Sequence, residues 1–255
     1  MSSATPQPQP QADTQLETEP VPHTPAVEPV TSLTDPRVIT ILSTEHWSLL
    51  SARSLAYNEA FARGGMFLTF LSMSFVALAL LSQAMSFGEQ FLTVAAIVLT
   101  FDLVIGLTTY GRIMGANVDD LRAVHGMARI RHGYTEVAPI VTKYFTSATH
   151  DDMDSLMGAY GDPPAGYVSS VVYGLTTSGG MIGLITSMVG GVLAGVLALM
   201  LGVSGGLAVW IGVGGALLVL LALVLLTTGS VTKQQEKLGA VFPAPQDRPD
   251  GTRRR

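Results

Sequence analysis

Residues 181–201 read MIGLITSMVGGVLAGVLALML, and residues 207–228 read LAVWIGVGGALLVLLALVLLTT. No charged residue occurs between Asp162 and Lys233. A helix in a soluble fold keeps a charged or polar face toward water. A stretch this long without one belongs in hydrocarbon. The turn between the two runs, 202–206, is short, so they form an antiparallel helical hairpin.

The chain upstream holds two further apolar runs, at about 64–81 and 91–110, joined by a short connection at 82–90. Each of the four runs has 18 to 22 residues. At about 1.5 Å per residue they reach roughly 27 to 33 Å, enough to cross the hydrocarbon core. Backbone hydrogen bonding in lipid requires the helical form. The sequence therefore predicts an all-α integral membrane protein with four transmembrane helices in two antiparallel hairpins, a cytosolic helical insert and disordered termini.

Composition agrees. Of 255 residues, 48% are apolar and only 13% charged, where soluble domains carry about 25% charge. Mean hydropathy is +0.42. This excludes an ordinary soluble enzyme. With no cysteine there is no disulfide, thiolate nucleophile or Cys-ligated metal. The net charge of −5 arises in the first 36 residues, which hold five acids and no base. The only basic run is Arg253 to Arg255, too little for a nucleic-acid face.

Six segments follow. Residues 1–36 carry eight of the 14 prolines and read as a disordered acidic tail, since such a segment cannot offset its ordering entropy. Residues 37–63 contain a cytosolic amphipathic helix from about 44 to 63. Ser43 or Thr44 is its cap, Glu45 sits in its first turn, and Trp47, Leu50, Ser54, Tyr57 and Phe61 form its stripe. Residues 64–110 are the first hairpin and 111–177 the cytosolic helical segment. There the second span continues to about Arg131, Pro139 opens a short helix, Thr149 caps another, and Gly161-Asp162-Pro163-Pro164 is a turn. Residues 178–228 are the second, Gly-rich hairpin. Residues 229–255 form a cytosolic tail that begins with a short helix at 230–238.

Basic residues set the orientation. Arg63 abuts the first span, Arg112 follows the second, and Lys233 and Lys237 follow the fourth, while the hairpin loops hold none. This places both termini and the middle segment in the cytoplasm, in a multi-pass protein of the cell membrane.

Asp102 lies inside the second span, where an acid costs about 2.5–3.5 kcal/mol to insert. The window 91–110 also holds eleven Leu, Ile, Val or Phe residues, which return roughly 3–7 kcal/mol. The span inserts, and Asp102 faces protein. Ala95, Val98, Gly106 and Thr109 share its face. Thr69 and Ser72 of the first span, and Thr186 and Ser187 of the third, lie at comparable depth and complete a candidate polar layer. That layer is either an interhelical hydrogen-bond cluster or a proton or cation site. In the third span Gly179, Gly183, Ser187, Gly191 and Gly195 repeat every four residues, a strip that permits close helix approach, within the hairpin or between subunits.

Other motifs carry little. His150-Asp151-Asp152-Met153-Asp154 follows Thr149 and reads as the acidic first turn of a helix rather than a metal site. Gly202-Val203-Ser204-Gly205-Gly206 matches G-x-S-x-G. Its serine has no base, because all five histidines lie in cytosolic segments a membrane thickness away. No catalytic, cofactor-binding or metal-ligating set emerges. The partners expected are membrane lipid and either further copies of the chain or a membrane partner subunit, with no nucleic acid. Two functions fit: an oligomeric ion or small-solute permeation protein with Asp102 in its polar layer, or a structural or regulatory membrane subunit that binds a soluble partner through its cytosolic helices.

Overall fold

The computed structural model describes residues 32–85, 87–158, 160, 173–237 and 239–245. Most of the N-terminal tail, the Gly161-Asp162-Pro163-Pro164 turn and residues 246–255 lie outside them. The elements are α1 (Pro36–Met85), α2 (Glu89–Val137), a 3-10 helix (Pro139–Tyr144), α3 (Met153–Gly158), α4 (Ser178–Met200) and α5 (Gly205–Lys237). The described residues are helical with no strand. Four helices are long and apolar enough to cross a membrane: α1, α2, α4 and the Gly205–Gly229 part of α5.

α1 differs from the sequence expectation. It does not begin at a Ser43 or Thr44 cap, nor does a separate span start at 64. It is one unbroken helix of 50 residues. Asp35 sits at its start and accepts the Arg37 N–H at 2.8 Å, with Pro36 in the first helical position. The Ser43 and Thr44 hydroxyls instead donate to the Thr40 carbonyl one turn back. Similarly, the helix expected at 230–238 is the end of α5 rather than a separate element.

α1 stays continuous through Gly64-Gly65 because α2 runs beside it. The buried positions of α2 include 95, 99, 102, 106, 109, 113, 116, 120, 123, 127 and 130, spaced alternately by four and three. Those of α1 are 60, 64, 67, 71 and 74, with the same spacing. A seven-residue repeat keeps one seam on the partner and winds the pair into a left-handed coiled coil. Leu42 packs on Gly133, Leu49 on Gly126 and Phe67 on Gly106, and Ser74 bonds Asp102. Partner numbers rise in α1 and fall in α2, so the two run antiparallel.

This seam also corrects the expected stripe. Trp47, Leu50 and Phe61 are exposed, while Leu49 and Arg53 turn inward. The seam mixes small residues and paired polar ones with Phe67, Leu71, Leu99, Ile113 and Met127.

α4 packs on both α2 and α5. Gly179 faces Met114, Gly183 faces Tyr110, and Thr186 lies over Gly106. Further along, Gly191 meets the Gly212 carbonyl and Ala216, and Gly195 approaches the Ala208 carbonyl. A four-residue step rotates a helix by about 40° beyond a full turn. The small-residue strip therefore winds around α4, from α2 at one end to α5 at the other. Ser187, between them, is buried and donates to the Gly183 carbonyl at 2.7 Å. α4 ends in a Schellman turn. Val203 N–H bonds the Ala198 carbonyl, Gly202 N–H bonds that of Leu199, and Gly202 has φ +80°, a conformation that favours glycine.

Candidate functional site

Three polar clusters lie along α2. The first is at Asp102, which is fully buried. Its Oδ1 accepts the Ser74 hydroxyl at 3.0 Å. Its Oδ2 has no partner, and neither does the buried Thr186 Oγ1. Just beyond lies the meeting point of three helices. A Cβ added to Gly106 would come within 2.7 Å of Thr186 Oγ1 and 3.0 Å of Phe67 Cζ. α1, α2 and α4 touch here only because position 106 has no side chain. Thr69 and Ser72 are not brought to this place. Both are exposed and donate to carbonyls of their own helix, Gly65 and Leu68. Ser74, two residues past Ser72, takes the position on Asp102.

Asp102 lines neither of two sizeable apolar recesses. One is a crevice of about 1220 Å³ between Tyr57, Gly64, Tyr110, Met114, Gly179 and Thr227. The other is a groove of about 710 Å³ along α4 and α5, to which Ser187 contributes.

The second cluster lies 18 residues further along α2. Asp120 pairs with Arg53 of α1 and accepts the Tyr160 hydroxyl at 2.7 Å. Burial raises the Tyr160 pKa, and its bond to Asp120 raises it further. The pair occupies seam positions in both helices, seven-residue repeats away from Ser74 on α1 (53, 60, 67, 74). Between these clusters Glu59 bonds both Arg112, at 2.9 Å, and Arg63, at 3.0 Å. The Arg112 contact, then that of Arg63, lowers the Glu59 pKa.

The third cluster is the densest. Asp151 is buried, and its carboxylate accepts from Arg129 Nε at 2.7 Å and His125 Nε2 at 3.1 Å. It also accepts the backbone N–H groups of Val241 at 2.8 Å and Phe242 at 2.7 Å. Asp151 N–H donates in return to the Phe242 carbonyl. Asp152 takes the Ala244 N–H at 2.8 Å, and Arg129 donates to the Gly239 carbonyl at 2.7 Å. The Phe242 ring stacks on His132 with centroids 4.3 Å apart. Burial alone would raise the Asp151 pKa. The Val241 N–H, the Arg129 guanidinium, the Phe242 N–H and His125 outweigh it and hold the carboxyl well below its usual range.

The acidic cluster therefore does more than begin a helix. α3 starts at Met153, and its cap is Asp152, which accepts both the Ser155 N–H and hydroxyl, rather than Thr149. Thr149 presents its carbonyl to His132. Asp151 holds a segment 90 residues away. A hydrogen bond to a charged group is worth about 1.5–3 kcal/mol, and ordering one residue's backbone costs about 1–2 kcal/mol. For the seven residues 239–245 the gain and the cost are of similar size.

Comparison with protein families, curated proteins and solved structures finds no match.

Ser74, Arg53, Asp120 and Tyr160 were not among the residues singled out from sequence. The signal that would have found the first three is the seven-residue spacing, which places polar residues repeatedly among the small and apolar residues of the seam.

Proposed function

We propose that the chain is a structural or regulatory subunit of the cytoplasmic membrane, anchored by two transmembrane hairpins and presenting a cytosolic coiled coil to a soluble partner. The observation that carries this reading is the continuity of α1 and α2. With spans at 64–81 and 91–110, residues 36–63 and 111–137 project together by about 40 Å on one side. Glu59, Arg63 and Arg112 mark the boundary on both helices at one level, and the basic residues there favour the cytoplasm. The projecting part exposes Ile41, Trp47, Leu55 and Ile140, each more than half exposed. Exposed apolar side chains on a soluble stalk fit a protein partner. In the membrane, α5 is the outer helix: 6% of its apolar window is buried against 44% for α4. Its free face suits lipid, a second copy or a partner subunit.

The permeation reading ranks second, supported by Asp102 Oδ2 and Thr186 Oγ1, two buried polar atoms without partners. Against it stands the enclosure of Asp102, which lines neither recess.

Liposome flux assays separate the two. The subunit reading expects proton and potassium flux no greater than in protein-free vesicles. It also expects a photo-crosslinker at Trp47 or Leu55 to give one discrete adduct in cells. Flux that Asp102→Asn abolishes while the protein still assembles would overturn it in favour of permeation. A reporter fused after Arg255 is expected to be active in the cytoplasm, and activity on the opposite side would reverse the orientation.

A further inference from the structure

We propose that the Asp151 cluster is a recognition site for a short peptide carrying phenylalanine followed by proline. Its resident ligand is the chain's own segment 239–245, and that resident is exchangeable. The inference does not depend on which function the membrane part serves.

The ligand's chemistry is written in the contacts. Within 241–244, the N–H groups of Val241, Phe242 and Ala244 each go to a carboxylate oxygen of Asp151 or Asp152. The residue in that run without an N–H is Pro243, and all three neighbouring donors are taken up by the two carboxylates. Phe242 pairs both ways with Asp151: its N–H donates to the carboxylate and its carbonyl accepts the Asp151 N–H. Phe242 supplies the side-chain specificity through His132. The Val241 side chain is 57% exposed, so that position is read through its backbone alone.

Exchange follows from how the platform is built. When the segment leaves, Asp151 keeps Arg129 and His125, both on α2. Asp152 keeps Ser155, which it caps. The platform is held to α2 by His132 on the Thr149 carbonyl and Arg131 on that of Ala148, and by Leu156, fully buried near Leu49 and Met127. None of these contacts involves the segment. Release therefore leaves no buried charge alone and removes no core residue, and an incoming peptide meets a formed site.

The chain has no cysteine, so Val241→Cys takes a single fluorescent label in the full-length protein in nanodiscs. A capped synthetic peptide of residues 239–245 is expected to lower the label's anisotropy saturably, with recovery on dilution. The same peptide with alanine for phenylalanine is expected to need at least about tenfold more. Phe242→Ala in the chain changes only the segment. It should free the label without added peptide, and labelled peptide should then bind this chain at least about tenfold more tightly than the parent. Asp151→Ala should abolish peptide binding. If several millimolar peptide displaces nothing and the Phe242→Ala chain takes up no labelled peptide, the segment is a fixed part of the fold and the proposal fails. Should Asp151→Ala not fold, the Phe242→Ala comparison decides alone.

Discussion

The α1–α2 pair and the α4–α5 pair are both antiparallel helices in contact, held together by different means. Along α1 and α2 the contact is made by side chains on a seven-residue repeat, with Ser74–Asp102 and Arg53–Asp120 set into it. Between α4 and α5 backbone lies on backbone. A Cβ on Gly191 would stand 2.6 Å from the Gly212 carbonyl oxygen. In lipid, burying apolar surface gains nothing between helices, so close backbone approach is one of the few sources of affinity. That device needs the bilayer around it. A heptad seam also works in water, and α1 and α2 can leave the membrane together while remaining paired.

The contrast is broken most severely at Gly191. Gly191→Leu is expected to cost more than about 3 kcal/mol, because the facing atoms are backbone and cannot rotate away. Gly214→Leu, with open space around it, should leave the detergent melting temperature unchanged. Equal melting of the two variants would show that α4 and α5 do not rely on glycine contact.

Asp120→Ala tests the other pair. It strands Arg53, whose side chain is one third exposed, and leaves the Tyr160 hydroxyl without its acceptor. Breaking a fully buried pair costs about 3–5 kcal/mol, and partial exposure of Arg53 brings the expected loss to about 2 kcal/mol. A double-mutant cycle with Arg53→Ala should recover most of it, and strict additivity would rule out the pairing.

The two connecting turns sharpen the comparison on a smaller scale. Phe87, between α1 and α2, has φ +54°, and Gly202, between α4 and α5, has φ +80°. A left-handed residue with a side chain costs about 1 kcal/mol. Gly202→Ala should lower stability by about that amount, and Phe87→Gly should offset it, less the edge contact of Phe87 with Phe91. Chemical denaturation of both variants gives the signs.

The mildest perturbation is acid. The Asp151 pKa is lowered on folding, so its contribution to holding residues 239–245 is complete above the ordinary carboxylate pKa and fades as pH falls below it. Anisotropy of a label at position 241 should be flat from pH 8 to about pH 5 and decline below about pH 4. Release between pH 7 and 6 would point to a histidine instead.

The four apolar helices were legible because lipid permits so few charges: the run after Asp162 admits no other reading. The seam between α1 and α2 was not. A search for large apolar residues at helical spacing selects Trp47, Leu50 and Phe61, which are exposed, whereas Ala116, Gly106 and Ala123 carry no obvious signal. The burial of Asp102 was legible, because its insertion cost demands protein around it. Its partner could not be chosen from depth alone, and only two residues separate Ser74 from the exposed Ser72. Asp151 was least legible. Its role depends on backbone groups at 241 and 242, and no local pattern in the sequence joins positions so far apart.

No proline occurs between Pro36 and Pro139, and α1 passes from end to end without a break. On the proposed topology, two such helices bound along a common seam act mechanically as a lever pivoting at the membrane surface. With about 40 Å of lever arm, a change in tilt of about 10° moves the far end by about 7 Å. A bilayer that thickens or thins forces its spanning helices to change tilt. On the proposed topology the tip near Leu42 and Gly133 would then move with membrane thickness, as distances from a label at position 42 to the surface of thin and thick nanodiscs would show.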